Sequence, residues 1–65
     1  MEMKNKLKER REALGLTQND VAKEVVIQES AYQRYEYGTR IPSVIVAIRI
    51  AKALHTMVEE IWKID

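Results

Sequence analysis

The chain has 65 residues, a formal net charge of +1, one histidine and no cysteine. That length suits one small domain, expected to span residues 1–65, and such a domain buries only ~60% of the surface its unfolded chain exposes. Disulfides and thiolate metal sites are excluded and His55 alone cannot build a zinc site, so stability must come from a regular core, an oligomer or both.

No apolar run reaches membrane-spanning length, and "MEMKNKLKERR" lacks the apolar stretch of a secretory signal. The expectation is a cytoplasmic protein with no membrane partner. Residues 1–12 carry five Lys or Arg side chains against three Glu, a mild basic bias of the kind a solvated helix face shows. Two glycines and one proline punctuate the chain, apolar and polar residues never alternate for long, and the pattern predicts five helices and an all-α fold.

The first predicted helix covers about 4–14, with Leu7 and Leu14 on one face, and Gly15 suits the left-handed position that ends it. The second covers about 18–25. Thr17 is a good N-cap, Asp20 completes a variant capping box, and Leu16 with Val21 has staple spacing. Val21, Ala22 and Val25 form its inward face. The third covers about 29–36, with Ala31, Tyr32 and Tyr35 inward and Gly38 after it. Pro42 and Ser43 introduce the fourth, in which Val44, Ala47, Ile48, Ala51 and Leu54 follow helical spacing while Ile45, Val46 and Ile50 widen the stripe. The fifth covers about 58–63, with Val58, Ile61 and Trp62 inward. Thr56 and Glu59 have capping-box spacing, although Met57 competes as the boundary residue.

Two short helices joined by a few residues, the second of them third in a set of five, form a helix-turn-helix arrangement. The joining stretch "VVIQES" contains no Gly, Asn, Asp or Pro, and its first three residues are β-branched. The fragments "LKERREALGLTQNDVAKEV", "SAYQRYEYGTRIPS" and "AIRIAKAL", in that order, resemble the small helix-turn-helix family of phage repressors, Cro proteins and bacterial xenobiotic-response-element regulators. The resemblance runs from Leu7 to Trp62. It rests on Leu-Thr-Gln at 16–18, Glu-x-Gly at 36–38, Pro-Ser at 42–43 and Ile-Ala-Lys-Ala-Leu at 50–54.

The resemblance implies a five-helix repressor-like domain that binds double-stranded DNA, with the third helix in the major groove and two copies on half-sites about one helical turn apart. It implies a non-enzymatic regulator, a repressor acting by promoter occlusion, with no cofactor, metal or small-molecule ligand. The sequence also departs from the family's pattern. Val26 stands where Gly is usual, Gln28 where Ser or Thr caps the recognition helix, Met57 where Ser, Thr or Pro caps the fifth helix, and His55 where Gly or Asn is frequent. If Val26 keeps a positive φ, strain on the order of 1–3 kcal/mol follows; a reshaped turn or a longer second helix would avoid it.

By family position, Thr17 and Gln18 at the start of the second helix face the DNA backbone, where Gln18 either meets a phosphate or braces the recognition helix. Gln28, Glu29 and Ser30 begin the recognition helix, and Gln33 and Arg34 follow one turn later. Arg34 suits a guanine pair. Glu29 has two open readings, as an acceptor for cytosine N4 or as a favourable charge at a helix start. Tyr37, Thr39, Arg40 and Ser43 form the expected backbone-gripping segment. Arg11 and Glu36 match a structural salt bridge between the first and third helices. Ile45, Val46 and Met57 are expected at a homodimer interface, because clustered surface apolar residues mark contacts. The alternative function is a protein-interaction module on the same fold, antitoxin-like or an engineered dimer, with weakened DNA recognition.

Overall fold

A computed structural model describes residues 4–63. The order is α1 (Leu7–Ala13), α2 (Gln18–Val25), α3 (Glu29–Tyr37), α4 (Val44–Ala53) and α5 (Val58–Ile61), with no strand among the described residues. The longest helix has ten residues, so no described helix is long and apolar enough to cross a membrane.

α1 starts later than residue spacing predicts. Asn5 Oδ1 accepts from the Leu7 N–H at 2.9 Å, while Asn5 Nδ2 donates to the Tyr35 carbonyl at 2.9 Å. The Lys6 N–H donates to the Ile61 carbonyl at 3.0 Å. The segment before Leu7 therefore ties α1 to α3 and α5 instead of extending the helix. α1 also stops at Ala13, so Leu14 falls in the terminating turn. Leu14 is 38% exposed where Leu7 is fully buried, and the two do not share an inward face.

α1 to α4 all terminate in the same way. After each helix one residue adopts a left-handed conformation, and two backbone bonds close the last turn in a 6→1 and 5→2 pair. Gly15 donates to Glu12 and Leu16 to Arg11 after α1; Val26 donates to Lys23 and Ile27 to Ala22 after α2. Gly38 to Tyr35 with Thr39 to Arg34, and His55 to Lys52 with Thr56 to Ala51, repeat the pattern. The left-handed residues are Gly15 (φ 70°), Val26 (φ 60°), Gly38 (φ 80°) and His55 (φ 55°). Glycine adopts this backbone freely, whereas a β-branched valine does so only under strain. Val26 thus keeps the positive φ. The two hydrogen bonds, and the burial of Val25 just before it, hold it there.

The starts are less uniform. Thr17 Oγ1 accepts from the Asp20 N–H at 3.0 Å and the Asp20 carboxylate accepts from the Thr17 N–H at 2.8 Å, a complete capping box. The Thr17 N–H, with the Thr17 hydroxyl beside it, holds the exposed Asp20 carboxyl below its ordinary pKa. Ser43 caps α4 by accepting from Val46 N–H at 3.3 Å. Gln28 and Met57 occupy the N-cap positions of α3 and α5 without a side-chain bond, so the Thr56–Glu59 box does not form.

The core comprises Leu7, Val21, Ala22, Val25, Tyr32, Tyr35, Ala47, Ile50, Ala51, Leu54, Ile61 and Trp62. All three aromatic members are packing residues, with Tyr32 fully buried and Trp62 8% exposed. On α4 the inward face is Ala47, Ile50, Ala51 and Leu54, with Val46 half-buried against it; Val44 and Ile48 turn outward. The apolar stripe of α4 is broader than the core can cover, and its outer part is exposed. Arg10 adds a link between α1 and the end of α4. Its Nε donates to the Leu54 carbonyl at 3.1 Å and its Nη2 to the His55 carbonyl at 3.0 Å. A cation there suits the negative end of the α4 dipole.

Candidate nucleic-acid interface

α2 and α3 pack on each other through Val21, Ala22, Val25 and Tyr32, and the turn at Val26–Gln28 fixes their angle. One face of α3 is thereby committed to the core and the other is free. On the free face lie Glu29, Ser30 and Arg34, all exposed, with Gln33 half-buried beside α2. Gln28 is exposed at the helix start. Tyr37, 63% exposed, closes the row, and Thr39 and Arg40 follow in the loop. This loop is tied back to α3. The Thr39 N–H, the Thr39 hydroxyl and the Arg40 N–H all donate to the Arg34 carbonyl, at 3.1, 3.3 and 3.3 Å. The Thr17 and Ser43 hydroxyls act as cap acceptors, a role that does not use their protons.

α3 is anchored from beneath. Arg11 Nε and Nη2 donate to the two oxygens of Glu36, both at 2.9 Å, and Arg11 Nη1 donates to the Leu16 carbonyl at 2.9 Å. The Glu36 side chain is 2% exposed and that of Arg11 11%. Burial works against an ionised Glu36, but the hydrogen bonds from Arg11 and Gln18, with the Tyr32 hydroxyl nearby, outweigh it and hold the carboxyl below its ordinary pKa. The same bidentate bond raises the pKa of Arg11. Burial pushes the Tyr32 phenol up; its hydroxyl lies near Glu36 but makes no well-aligned hydrogen bond.

A chain of side-chain bonds leads from this pair to the free face. Gln18 Nε2 donates to Glu36 Oε1 at 3.2 Å, and Gln33 Nε2 donates to Gln18 Oε1 at 3.1 Å. Gln33 Nε2 also lies 3.5 Å from Glu29 Oε2, and Asn19 Nδ2 donates to Glu29 Oε1 at 3.1 Å. Gln18 therefore braces α3 in the unbound protein. Asn19 was not singled out by the sequence; nothing in its spacing signals a partner ten residues away.

The three apolar residues expected at a contact do not behave alike. Ile45 and Met57 are 65% and 58% exposed, whereas Val46 turns partly into the core. The exposed apolar surface is also wider than those three. Ile41, Val44 and Ile48 are 67%, 75% and 43% exposed, and with Pro42, Ala47, Val58 and Trp62 they line a shallow apolar trough between the α3–α4 loop, α4 and α5.

Comparison with known proteins adds to this geometry. A helix-turn-helix family model matches residues 7–61. The cryptic phage CTXphi transcriptional repressor RstR of Vibrio cholerae is 32% identical over the whole of this chain, which spans 61% of that protein's length. An HTH-type transcriptional regulator of Methanothermobacter thermautotrophicus is 38% identical over 97% of this chain and 93% of its own. The crystal structure of the restriction-modification controller protein C.AhdI from Aeromonas hydrophila superposes with a TM-score of 0.79 at 31% identity, covering 85% of this chain and 83% of that one.

Proposed function

The chain belongs to the helix-turn-helix family of DNA-binding transcriptional regulators, and on that premise we propose that it binds a two-fold symmetric operator as a homodimer and represses by occluding a promoter. The observation that carries this reading is the exposed polar row of α3, held at a fixed angle by the buried Arg11–Glu36 pair.

In this reading α3 enters the major groove with its N-terminal half toward base edges. Arg34 forms a bidentate pair with guanine, and Ser30 contacts a base or a phosphate. Thr17, Gln18 and Gln28 face the phosphates near the start of α2 and α3, where free N–H groups also favour anions. Tyr37, Thr39, Arg40 and Ser43 grip the backbone on the other flank. The net charge of +1 balances eleven Lys and Arg against ten Asp and Glu, so attraction to phosphate is local to side chains such as Arg34 and Arg40. For the dimer, Ile45 and Met57 supply the exposed apolar contact, with Val46 supporting them from below.

Selection from random duplex DNA tests the DNA half of the proposal, and enrichment of a two-fold symmetric site is the expected result. Absence of enrichment, with weak binding lost at moderate salt, would instead favour a protein-docking module. Ile45→Lys with Met57→Lys should convert a dimer to a monomer by solution mass; an unchanged mass counts against the interface.

A further inference from the structure

The side-chain chain between α2 and α3 has a fixed polarity. Carboxylates accept only, so Glu36 obliges Gln18 to present its amide nitrogen inward. Gln18 then presents its oxygen to Gln33, and Gln33 must answer with its nitrogen. That same nitrogen faces Glu29 Oε2, and Asn19 Nδ2 faces Glu29 Oε1. The buried Arg11–Glu36 pair thus sets the orientation of the Gln18 and Gln33 amides up to the exposed first turn of α3. Glu29 ends this chain with one neutral amide on each oxygen.

Resting on the major-groove reading proposed above, we infer that Glu29 is a specificity-determining residue that selects cytosine at one position of each half-site, with Gln33 and Asn19 as its positioning residues. Each Glu29 oxygen keeps a lone pair beyond the bond it accepts from its neighbour. An ionised carboxylate held in place offers only acceptors to the groove. Among base edges, exocyclic amines of cytosine and adenine are the donors there. Adenine sets its N7 lone pair beside that amine, where it repels the second carboxylate oxygen. Cytosine carries no such acceptor on the same edge. Guanine and thymine present acceptors and are repelled. Because neutral amides rather than a cation hold Glu29, its full charge remains available for discrimination.

Two amide partners also answer why a carboxylate is tolerated opposite a polyanion. A freely rotating glutamate would only repel phosphate, whereas one held by Asn19 at 3.1 Å, with Gln33 Nε2 at 3.5 Å from its other oxygen, has fewer orientations open to it. Gln33 and Asn19 therefore affect which base is chosen more than how tightly DNA is held.

The test starts from the operator selected by the wild-type protein. Affinities are then measured for duplexes carrying each base at each half-site position, using wild type, Glu29→Gln, Gln33→Ala and Asn19→Ala. Wild type should prefer cytosine at one position by roughly fivefold to tenfold, the lower range of one specific base contact. Glu29→Gln, nearly isosteric, should move the preference at that position to adenine, because an amide both donates to N7 and accepts from N6. Gln33→Ala and Asn19→Ala should flatten the preference at that position alone, with the other positions and the unfolding temperature little changed. A loss of stability without a position-specific change would make Gln33 and Asn19 structural and overturn their assignment. An operator recognised with the same base preferences by Glu29→Gln overturns the inference while leaving major-groove binding intact. Absence of any selected operator overturns both.

Discussion

Replacing Val26 by glycine should stabilise the protein, against the usual direction of a large-to-small change. Val26 sits at φ 60° and ψ 52°, with its side chain 84% exposed. Little apolar burial is therefore lost with the side chain. Relief of a left-handed β-branched residue is worth on the order of 1–3 kcal/mol. Against it stands the greater freedom of glycine in the unfolded chain, ~0.4–1 kcal/mol. The balance is a gain of about 1 kcal/mol, which for a domain this small raises the melting temperature by roughly 4–8 °C. Thermal unfolding by circular dichroism, at one protein concentration, reads this directly. Val26→Asn should fall between the two, since asparagine tolerates the left-handed region better than valine. An unchanged or lower melting temperature for Val26→Gly would refute the strain argument and mean that the turn gains something from the valine side chain.

Other consequences are equally accessible. Gln28→Ser should supply the missing cap of α3 and add up to ~1 kcal/mol in denaturant unfolding; no gain would mean the N-terminal N–H groups are already satisfied. Arg11→Met leaves Glu36 buried without its cation and should cost about 3 kcal/mol, whereas Arg11→Met with Glu36→Leu should recover most of that loss. The folded-state pKa values of Asp20 and Glu36 are depressed, so the stability they contribute is present above their unfolded values, near pH 4, and is lost as pH falls through the folded ones. Denaturant unfolding across pH 2–7 should show that acid limb. Glu36→Gln should make it shallower, and a stability independent of pH down to ~2 would contradict the assignment.

Much of the architecture is legible in the sequence because the punctuating residues sit where the backbone needs them. Thr17 with Asp20, Ser43, Gly15 and Gly38 all act as their residue types suggest. Helical spacing identifies Val21, Ala22, Val25, Tyr32 and Tyr35 as core. What fails is instructive. The start of α1 is set by Asn5 bonding to Tyr35, a contact thirty residues away that local propensity cannot register. The inward face of α4 is misplaced by part of a turn because every residue from Val44 to Ile48 is apolar, which leaves the period undetermined. His55 and Val26 adopt glycine's conformation because the paired terminating bonds after α2 and α4 outweigh side-chain preference. The Arg10 bonds to the end of α4 and the Asn19 bond to Glu29 join polar residues that match no motif, so only the packed structure brings them into view.

If α3 reads bases while the flanking loop holds phosphates, substitutions in the two places must act differently on specific and non-specific DNA. Binding of the selected operator and of a scrambled duplex would be measured across a salt series for wild type, Arg34→Ala and Arg40→Ala. Arg34→Ala should collapse discrimination, with a loss of roughly 1–3 kcal/mol confined to the operator. Arg40→Ala should weaken both duplexes alike and lower the salt slope by about one. If Arg34→Ala instead weakened both duplexes equally, or changed neither, the base-reading role of α3 would be contradicted.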